Sequence, residues 1–591
     1  MSERQDPVGR ALRPARLGRA DSLAPADSLA SAAAAARPAP LASADSRASA
    51  AAAARPAPLV LGLDVGTSSV KALVLDGDGE VVESRSAPHA LTPTPGAVEA
   101  DPRGWWKAAQ TAVGSLQTDP GSLVAVGLSG NMSSVVLLDA SGEPLRPAPL
   151  LADPRGAEEL EALDGELREA LAASSRNPVN AISPLASLLW LAAHEPATLD
   201  ATAVWVSAKD YVRLQLTGEL ASDSSDAHNS LVHDPVAREW QRELIARVGL
   251  PVSIFPPLRD GGASGGTVTA TAAALTGLRE GTPVAIGGAD MATAALGSGA
   301  VERGTLALSL GTSVTALAPL GAGAASGAAG AAGVDAFADA WRGKLTYHPP
   351  PGDGGAYALA SLLTGGLALN WLRALCGGTV PLPTAEDTVP DAADPLVFVP
   401  QLAGAGSPDF EPRLRGALLG VGPHAGGEQI AAALFEAIAF ELAGIVELLG
   451  PESVQTVRAT GGGANIDAWV QTIADVLGTP VDVLAHHDVS AIGAALLARE
   501  AIGAPLPPER VGRVARRFEP RREHAAAWQA RAERYAEARA LALAYARHEA
   551  PGADAPAPAA PGAPAPAPPA PPAASADAPP TSQAGPGGAT P

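Results

Sequence analysis

Cysteine is all but missing from the 591 residues: Cys376 stands alone. One thiol forbids an intrachain disulfide and gives no sign of an oxidising compartment, so a cytoplasmic location is expected. The burial habits of cysteine predict a small core residue for it. Aromatic side chains are scarce as well, 4% of the chain, so its cores must be aliphatic and alanine-rich, and 47% hydrophobic content allows that. Positive charge is in deficit, with 41 Lys and Arg against 62 Asp and Glu and a net charge of −21. Such a chain is repelled by phosphate backbones and anionic lipid, which excludes nucleic acid and membrane surfaces as expected partners. An anionic nucleotide needs only a local pocket and stays allowed. No run of 18 or more apolar residues occurs, so no transmembrane helix is expected. The N-terminus lacks the compact apolar region of a signal peptide, and Asp6, Asp21 and Asp27 interrupt a transit-peptide reading.

At about 100–200 residues per domain the length allows two or three domains. Residues 1–57 are Ala/Pro-rich, and the stretch Ala30 to Leu41 recurs at Ala48 to Leu59. Residues 549–591 have a similar Pro/Ala-rich composition. Prolines cut helices short and no periodic apolar pattern supports a core, so both tails are expected to be disordered. Between them, β and α patterns alternate. Leu59 to Val65 reads as a central strand buried on both faces, Val70 to Leu75 as a second, and Gly77-Asp78-Gly79 as the turn to a third at Val81-Val82. Leu123 to Leu128 and Val135 to Leu138 repeat the style. Ile430 to Leu449 reads as a buried helix, and Arg521 to His548 as a polar, alanine-rich helix that closes the fold. The class is α/β with antiparallel hairpins.

One motif occurs twice. Leu63-Asp64-Val65-Gly66-Thr67-Ser68-Ser69-Val70 is echoed by Leu308-Ser309-Leu310-Gly311-Thr312-Ser313-Val314-Thr315. Each copy is a strand–turn–strand with Gly-Thr-Ser at the turn. Glycine permits a positive φ that aims consecutive N–H groups inward, and hydroxyls add donors, so each turn predicts a phosphate nest. Two nests from duplicated halves can grip a triphosphate from both sides. Only the first copy carries a carboxylate, Asp64, which suits a Mg²⁺–nucleotide complex.

The paired turns, together with the blocks that follow them, resemble the FGGY carbohydrate kinases, and most closely the xylulokinase branch. The resemblance runs from about Leu59 to Arg499. Val98 to Trp106 is similar to the family's acidic-Pro-Trp-Trp segment. Gly127 to Ser134, containing Asn131, Met132 and Ser133, is similar to a sugar-facing loop. Lys209-Asp210-Tyr211, Leu216-Thr217-Gly218 and Ser222-Asp223 to Asp226 match a long signature that shapes the substrate domain without direct chemistry. Val284 to Asp290 ends a buried strand. Capping preferences alone would make Asp290 a helix cap. The family position makes it the catalytic base, taking a proton from the sugar hydroxyl that attacks the γ-phosphate. In the second half, Ser361 to Trp371, with Gly365, resembles a helix start bordering the nucleotide. Thr460 to Asn465, with Gly462, Gly463 and Asn465, resembles the adenosine motif. Asp488 to Ala498 resembles the closing helix, and His486-His487-Asp488 reads as surface loop.

The pattern also departs from the branch. Asn131-Met132-Ser133-Ser134 replaces Gln-Met-His-Gly, and Met291 replaces the Asn after the catalytic Asp. Leu151 replaces a Trp before the retained Asp153 and Arg155, and Gly404 to Pro408 lacks the usual Glu and Arg. The resemblance therefore implies two RNase-H-like domains of the actin/hexokinase superfamily, 58–302 binding sugar and 303–548 binding nucleotide. ATP–Mg²⁺ would lie in the cleft, its phosphates against Gly66, Thr67, Ser68, Gly311, Thr312 and Ser313, its metal on Asp64. The sugar would meet Asp290, Asn131, Met132, Ser133 and Asp153. The implied reaction is ATP-dependent phosphorylation of a small sugar, D-xylulose to D-xylulose 5-phosphate, with another ketose, a polyol or a sugar acid left open by the altered loop. Other classes also stay open: an actin-like ATPase, or a protein that senses sugar without turnover. A homodimer is compatible with the sequence, which is silent on assembly.

Overall fold

The computed structural model describes residues 58–92, 95–320, 341–352, 355–450 and 453–548. Both tails expected to be disordered lie outside them.

The first half is organised on a twisted mixed sheet. The apolar run after Leu59 forms β1 (Val60–Val65) and pairs antiparallel with β2 (Ser69–Leu75), which pairs with β3 (Val81–Pro88). On its other side β1 runs parallel to β4 (Ala125–Gly130), with Asp64 opposite Ser129. The strands β5 (Ser264–Thr267) and β6 (Pro283–Ala285) extend the sheet, and the short β7 (Gly288–Ala289) pairs with β4. Helix α1 (Pro102–Gly114) is capped by Asp101 and buries Trp105 against the sheet. Helix α2 (Ala208–Thr217) ends at Gly218, where φ is +76°. The one-turn α3 (Ser224–His228) and α4 (Asp290–Gly297) complete the part of this half that matters below.

The second half repeats the plan. β8 (Gly304–Leu310) and β9 (Val314–Pro319) form the equivalent hairpin. β10 (Thr346–His348) and β11 (Tyr357–Leu362) lie beyond β9. On the other side of β8 come β12 (Val454–Thr460), β13 (Val481–Leu484) and β14 (Val514–Phe518), giving the order β10-β11-β9-β8-β12-β13-β14. Here too the first strand of the hairpin is antiparallel to the second and parallel to the next strand, β12. The helices of this half are α5 (Gly366–Leu375), α6 (Gly427–Leu449), α7 (Asp467–Leu477), α8 (Val489–Ala501) and α9 (Ala525–His548). As the sequence predicts, α6 is buried on more than one face. The closing helix α9 seats Trp528, Tyr535 and Ala538 at helical spacing, and its buried Arg531 is held 2.5 Å from Glu436.

One helix joins the halves. Although α8 lies in the chain between β13 and β14 of the second sheet, it packs on β1, β2 and β4 of the first and crosses α4. Four glycines permit this. A Cβ on Gly62 would fall on the Ala491 carbonyl, on Gly127 on that of Ala494, on Gly297 on that of Val489, and on Gly493 on that of Thr293. Backbone therefore meets backbone at every one of these contacts.

Cys376 corrects the expectation of a core residue: it is exposed. It follows the last residue of α5, whose buried face is Ala368, Leu369 and Leu372, and the core does not continue past the helix end. Among the described residues, no helix is long and apolar enough to cross a membrane.

Candidate active site

Both Gly-Thr-Ser turns are present, at the ends of β1 and β8, with Thr67, Ser68 and Thr312 exposed. Neither forms a nest through a positive φ: Gly66 and Gly311 lie outside the left-handed region. Crowding favours glycine at Gly66, whereas a Cβ at Gly311 would meet only an ordinary contact, 3.4 Å from the Ser313 carbonyl oxygen. A Cβ at Gly66 would come 3.1 Å from the Ser69 carbonyl oxygen, which accepts from the Gly66 amide at 3.0 Å. In the second turn Gly311 N–H donates to the Ser313 carbonyl, also at 3.0 Å. Among the described residues, no hydrogen bond engages the amides or hydroxyls of Thr67, Ser68, Thr312 and Ser313. Two sets of uncommitted donors therefore remain for oxyanions.

Each turn is braced from behind. Asn131 holds the first, its backbone N–H and side-chain Nδ2 both donating to the Val65 carbonyl, at 2.8 and 2.9 Å. One amide hydrogen of Asn131 is thus committed to β1. His89, which the sequence reading passed over, donates its backbone N–H to the Ser68 carbonyl and lies with Nε2 3.0 Å from the Gly66 carbonyl. The second turn is held by the start of α5. Gly365 and Leu367 amides donate to the Thr312 carbonyl at 3.0 Å, and Gly366 to that of Gly311 at 2.8 Å. A Cβ on Gly366 would come 2.8 Å from the Gly311 oxygen, so glycine is needed for this approach. The Gly462–Asn465 turn comes to the same end of β8. Gly463 abuts Leu310, and Gly461, with φ +86°, bonds His487 Nδ1 at 3.2 Å. Gly365, Gly462 and Gly463 are thus gathered about the second turn, with Asn465 exposed beside them.

Two carboxylates occupy the C-terminal ends of the parallel strands of the first sheet. Asp64, on β1, accepts from Ser129 Oγ at 3.0 Å; Ser129 in turn lies 2.8 Å from Thr293 Oγ1, which donates to the Asp290 carbonyl at 3.0 Å. Asp290 opens α4, and its Oδ1 accepts from the Met291 amide at 2.8 Å. Burial, then the charge of Asp64, push the Asp290 carboxyl up to about 8; the Met291 and Met132 amides oppose this and the charge of Asp226 adds to it. Burial also raises Asp64, against the pull of Lys71 and Ser129. Two carboxylates poised in this way, one holding a proton near neutrality, are the arrangement expected of an acid–base site.

The loop that the sequence reading placed near the sugar does approach Asp290, since the Met132 amide acts on its carboxylate. Met132 and Met291 share an apolar cluster with Ala289. Ser133 is buried at φ +64°, a conformation costly for a residue with a Cβ. Asp153 is engaged elsewhere: its oxygens accept from Arg155 and from the Val98 amide, and Arg155 stacks 4.2 Å from the Trp190 ring. Trp105 packs in the core of the first sheet.

A charged cluster lies buried beneath the loop of Met132 and Ser133. Lys209, fully buried, lies 2.7, 3.0 and 2.9 Å from Asp210, Asp223 and Asp226, and Arg213 lies 2.7 Å from Asp210. Three carboxylates against two cations leave an excess negative charge. Burial, with Asp223 and Asp210 as neighbours, raises Asp226 to about 7 despite Lys209. The cluster reaches Asp290 through one side chain: Ser225 Oγ donates to Asp223 and accepts from the Ala289 amide at 2.9 Å. The Lys-Asp pair followed by Ser-Asp-x-x-Asp, set among apolar neighbours, was the available signal. His486-His487-Asp488 lies in a surface loop, as expected, and two of its side chains make long-range contacts. Asp488 binds Lys71 at 2.7 Å and Ser84 at 2.9 Å, which holds its carboxyl below the usual range against burial, and His487 braces Gly461.

The chain matches the family models described as the N-terminal and C-terminal domains of the FGGY family of carbohydrate kinases, over residues 59–297 and 306–502. It is 32% identical to a xylulose kinase of Klebsiella pneumoniae, across 75% of this chain and 90% of that protein. It is 33% identical to one of Streptomyces rubiginosus, across 78% and 90%. Among solved structures it is similar to a xyloylose kinase from Brucella ovis, with a TM-score of 0.72 at 29% identity, covering 83% of this chain and all of that one.

Proposed function

Since the chain belongs to the FGGY family of carbohydrate kinases, we propose that it transfers the γ-phosphoryl group of ATP to D-xylulose, with Asp290 as general base. Membership makes the chain a sugar-phosphorylating phosphotransferase that uses ATP, and the actin-like ATPase and sensing alternatives give way to it. The observation that carries the assignment of the base is the Asp290 carboxyl, raised to about 8 at a strand end beside Asp64 and the Met132 amide. We read the two halves, 58–302 and 303–548, as the sugar and nucleotide domains.

In this reading the amides and hydroxyls of Thr67, Ser68, Thr312 and Ser313 hold the phosphates from two sides, and Gly66 and Gly311 let the turns close tightly. Gly365, Gly462, Gly463 and Asn465 border the nucleoside. Asp64 fits a cation, because burial leaves its carboxylate short of stabilising partners. A divalent ion held by one carboxylate and the nucleotide's phosphates would need no further protein ligand. Magnesium, when bound, supplies neutralisation of phosphate charge. Asp290 takes the proton of the acceptor hydroxyl as its oxygen bonds to the γ-phosphorus and the bond to the ADP oxygen breaks. Met132 and Ser133 line the sugar, Asn131 fixes their loop to β1, and Asp153 acts through Arg155.

The test is coupled ADP release with Mg²⁺-ATP across ketopentoses, aldoses, polyols and sugar acids. Strong stimulation by D-xylulose supports the reading. Stimulation by another compound alone reassigns the substrate, an outcome that Ser133, Ser134 and Met291 favour because they replace family residues in the acceptor pocket. ADP release indifferent to every sugar overturns the kinase assignment.

A further inference from the structure

Tyr357 is the first residue of β11, in the second half, yet it belongs to the same apolar cluster as Ala289, Met132 and Met291 of the first. It is 6% exposed, and His348 stacks on its ring at 6.4 Å with 18° between planes. Among the described residues its hydroxyl has no hydrogen-bond partner. A buried hydroxyl left unpaired costs about 1–3 kcal/mol, so such groups mark places where a ligand completes the bonding. Burial, and then the negative charges of Asp223 and Asp290, hold the phenol far above its usual range, so it stays a neutral O–H group at any physiological pH. This polar atom is thus unspent, lies in the field of the base and stands on the opposite half from it.

We propose that the Tyr357 hydroxyl hydrogen-bonds a second hydroxyl of the acceptor sugar, making it a specificity-determining residue that the nucleotide half contributes to the sugar site. The inference rests on Asp290 marking the acceptor site. Asp290 engages the reacting hydroxyl and Tyr357 one that does not react. An acceptor with two suitably spaced hydroxyls is then gripped by both halves at once. Water, with no second hydroxyl, cannot bridge them, so recognition and rejection of hydrolysis share one contact.

The experiment compares kcat and KM for D-xylulose and for its single-deoxy analogues, in the full chain and in Tyr357→Phe. The change keeps the ring and removes only the unpaired oxygen, so the melting temperature should hold or rise. With D-xylulose, kcat/KM should fall about 10- to 100-fold, mainly through KM. For one analogue the native chain should show the same loss, and Tyr357→Phe should lose nothing further, because the bond is already gone. Equal losses on every analogue, no loss on D-xylulose, or a pH-profile shift common to all sugars would overturn the inference and leave the kinase reading intact. If the native chain releases no ADP in response to D-xylulose, the proposed substrate falls and this inference falls with it.

Discussion

Lys71 Nζ lies 2.7 Å from Asp488 Oδ1, tying the second strand of one sheet to the first turn of the helix that leaves the other. Lys71 also pulls Asp64 down against burial, so one ammonium serves both the joint and the carboxylate assigned to the metal. Lys71→Met should therefore raise the proton affinity of Asp64 and increase KM for Mg²⁺-ATP several-fold, with a smaller effect on KM for sugar. The stability loss should stay near 1 kcal/mol or less, because both partners are about a third exposed. Steady-state kinetics with each substrate varied checks the asymmetry; an unchanged nucleotide KM would sever Lys71 from the site.

Asp290→Asn should lower kcat by about 10²–10⁴-fold, the range of a general base. It should also make the protein more stable. The folded-state pKa of about 8 lies above that of an unfolded aspartate, about 3.9, so between those values the native chain holds a proton that the unfolded chain does not. Native stability then falls as pH rises through this window, and the Asn variant should lose that part of the slope. Thermal melts of both proteins from pH 5 to pH 9 measure it. Parallel curves would contradict the raised pKa.

Ser225→Ala removes a side chain that links the Lys209 cluster to the amide before Asp290. We expect about 1–2 kcal/mol of destabilisation and a kcat roughly tenfold lower. The acid limb of the pH–rate profile should be displaced, with little change in KM for ATP. A structural role alone would lower Tm without moving that limb.

Glycine-to-alanine changes should divide by what surrounds them. Gly297→Ala drives a Cβ into the Val489 carbonyl and Gly493→Ala into that of Thr293, so each should destabilise by at least about 1–3 kcal/mol or prevent folding. Gly444, inside α6, has nothing within 4 Å of its absent Cβ, and alanine there should stabilise by about 0.5–1 kcal/mol. Denaturant titration of the three variants tests the contrast.

The duplicated octapeptide was legible because both copies keep the strand–turn–strand pattern in a short window, and the order of blocks marked Asp290. Local signals missed what distance assembles. Composition suggests positive φ at Gly66 and Gly311, but neither adopts it, and only Gly66 is crowded by a neighbouring carbonyl. Lys209, Asp223 and Asp226 read as a signature of the substrate half, because nothing in a linear string shows Ser225 reaching back to Ala289. Tyr357 carries no motif of its own, and Asp488 reads only as the start of the closing helix; both act through residues of the other half.

Side chains offer graded choices: Met132, Ser133, Met291 and Tyr357, which we assign to the acceptor site, can be altered one methyl or one hydroxyl at a time. At Gly62, Gly127, Gly297 and Gly493 no such ladder exists, because the next larger residue already collides with main chain. The two kinds of contact therefore differ in evolvability. New acceptors can be reached by small revisions of the lining, while the joint beneath it admits no intermediate and holds the chemistry in register as the menu of sugars changes.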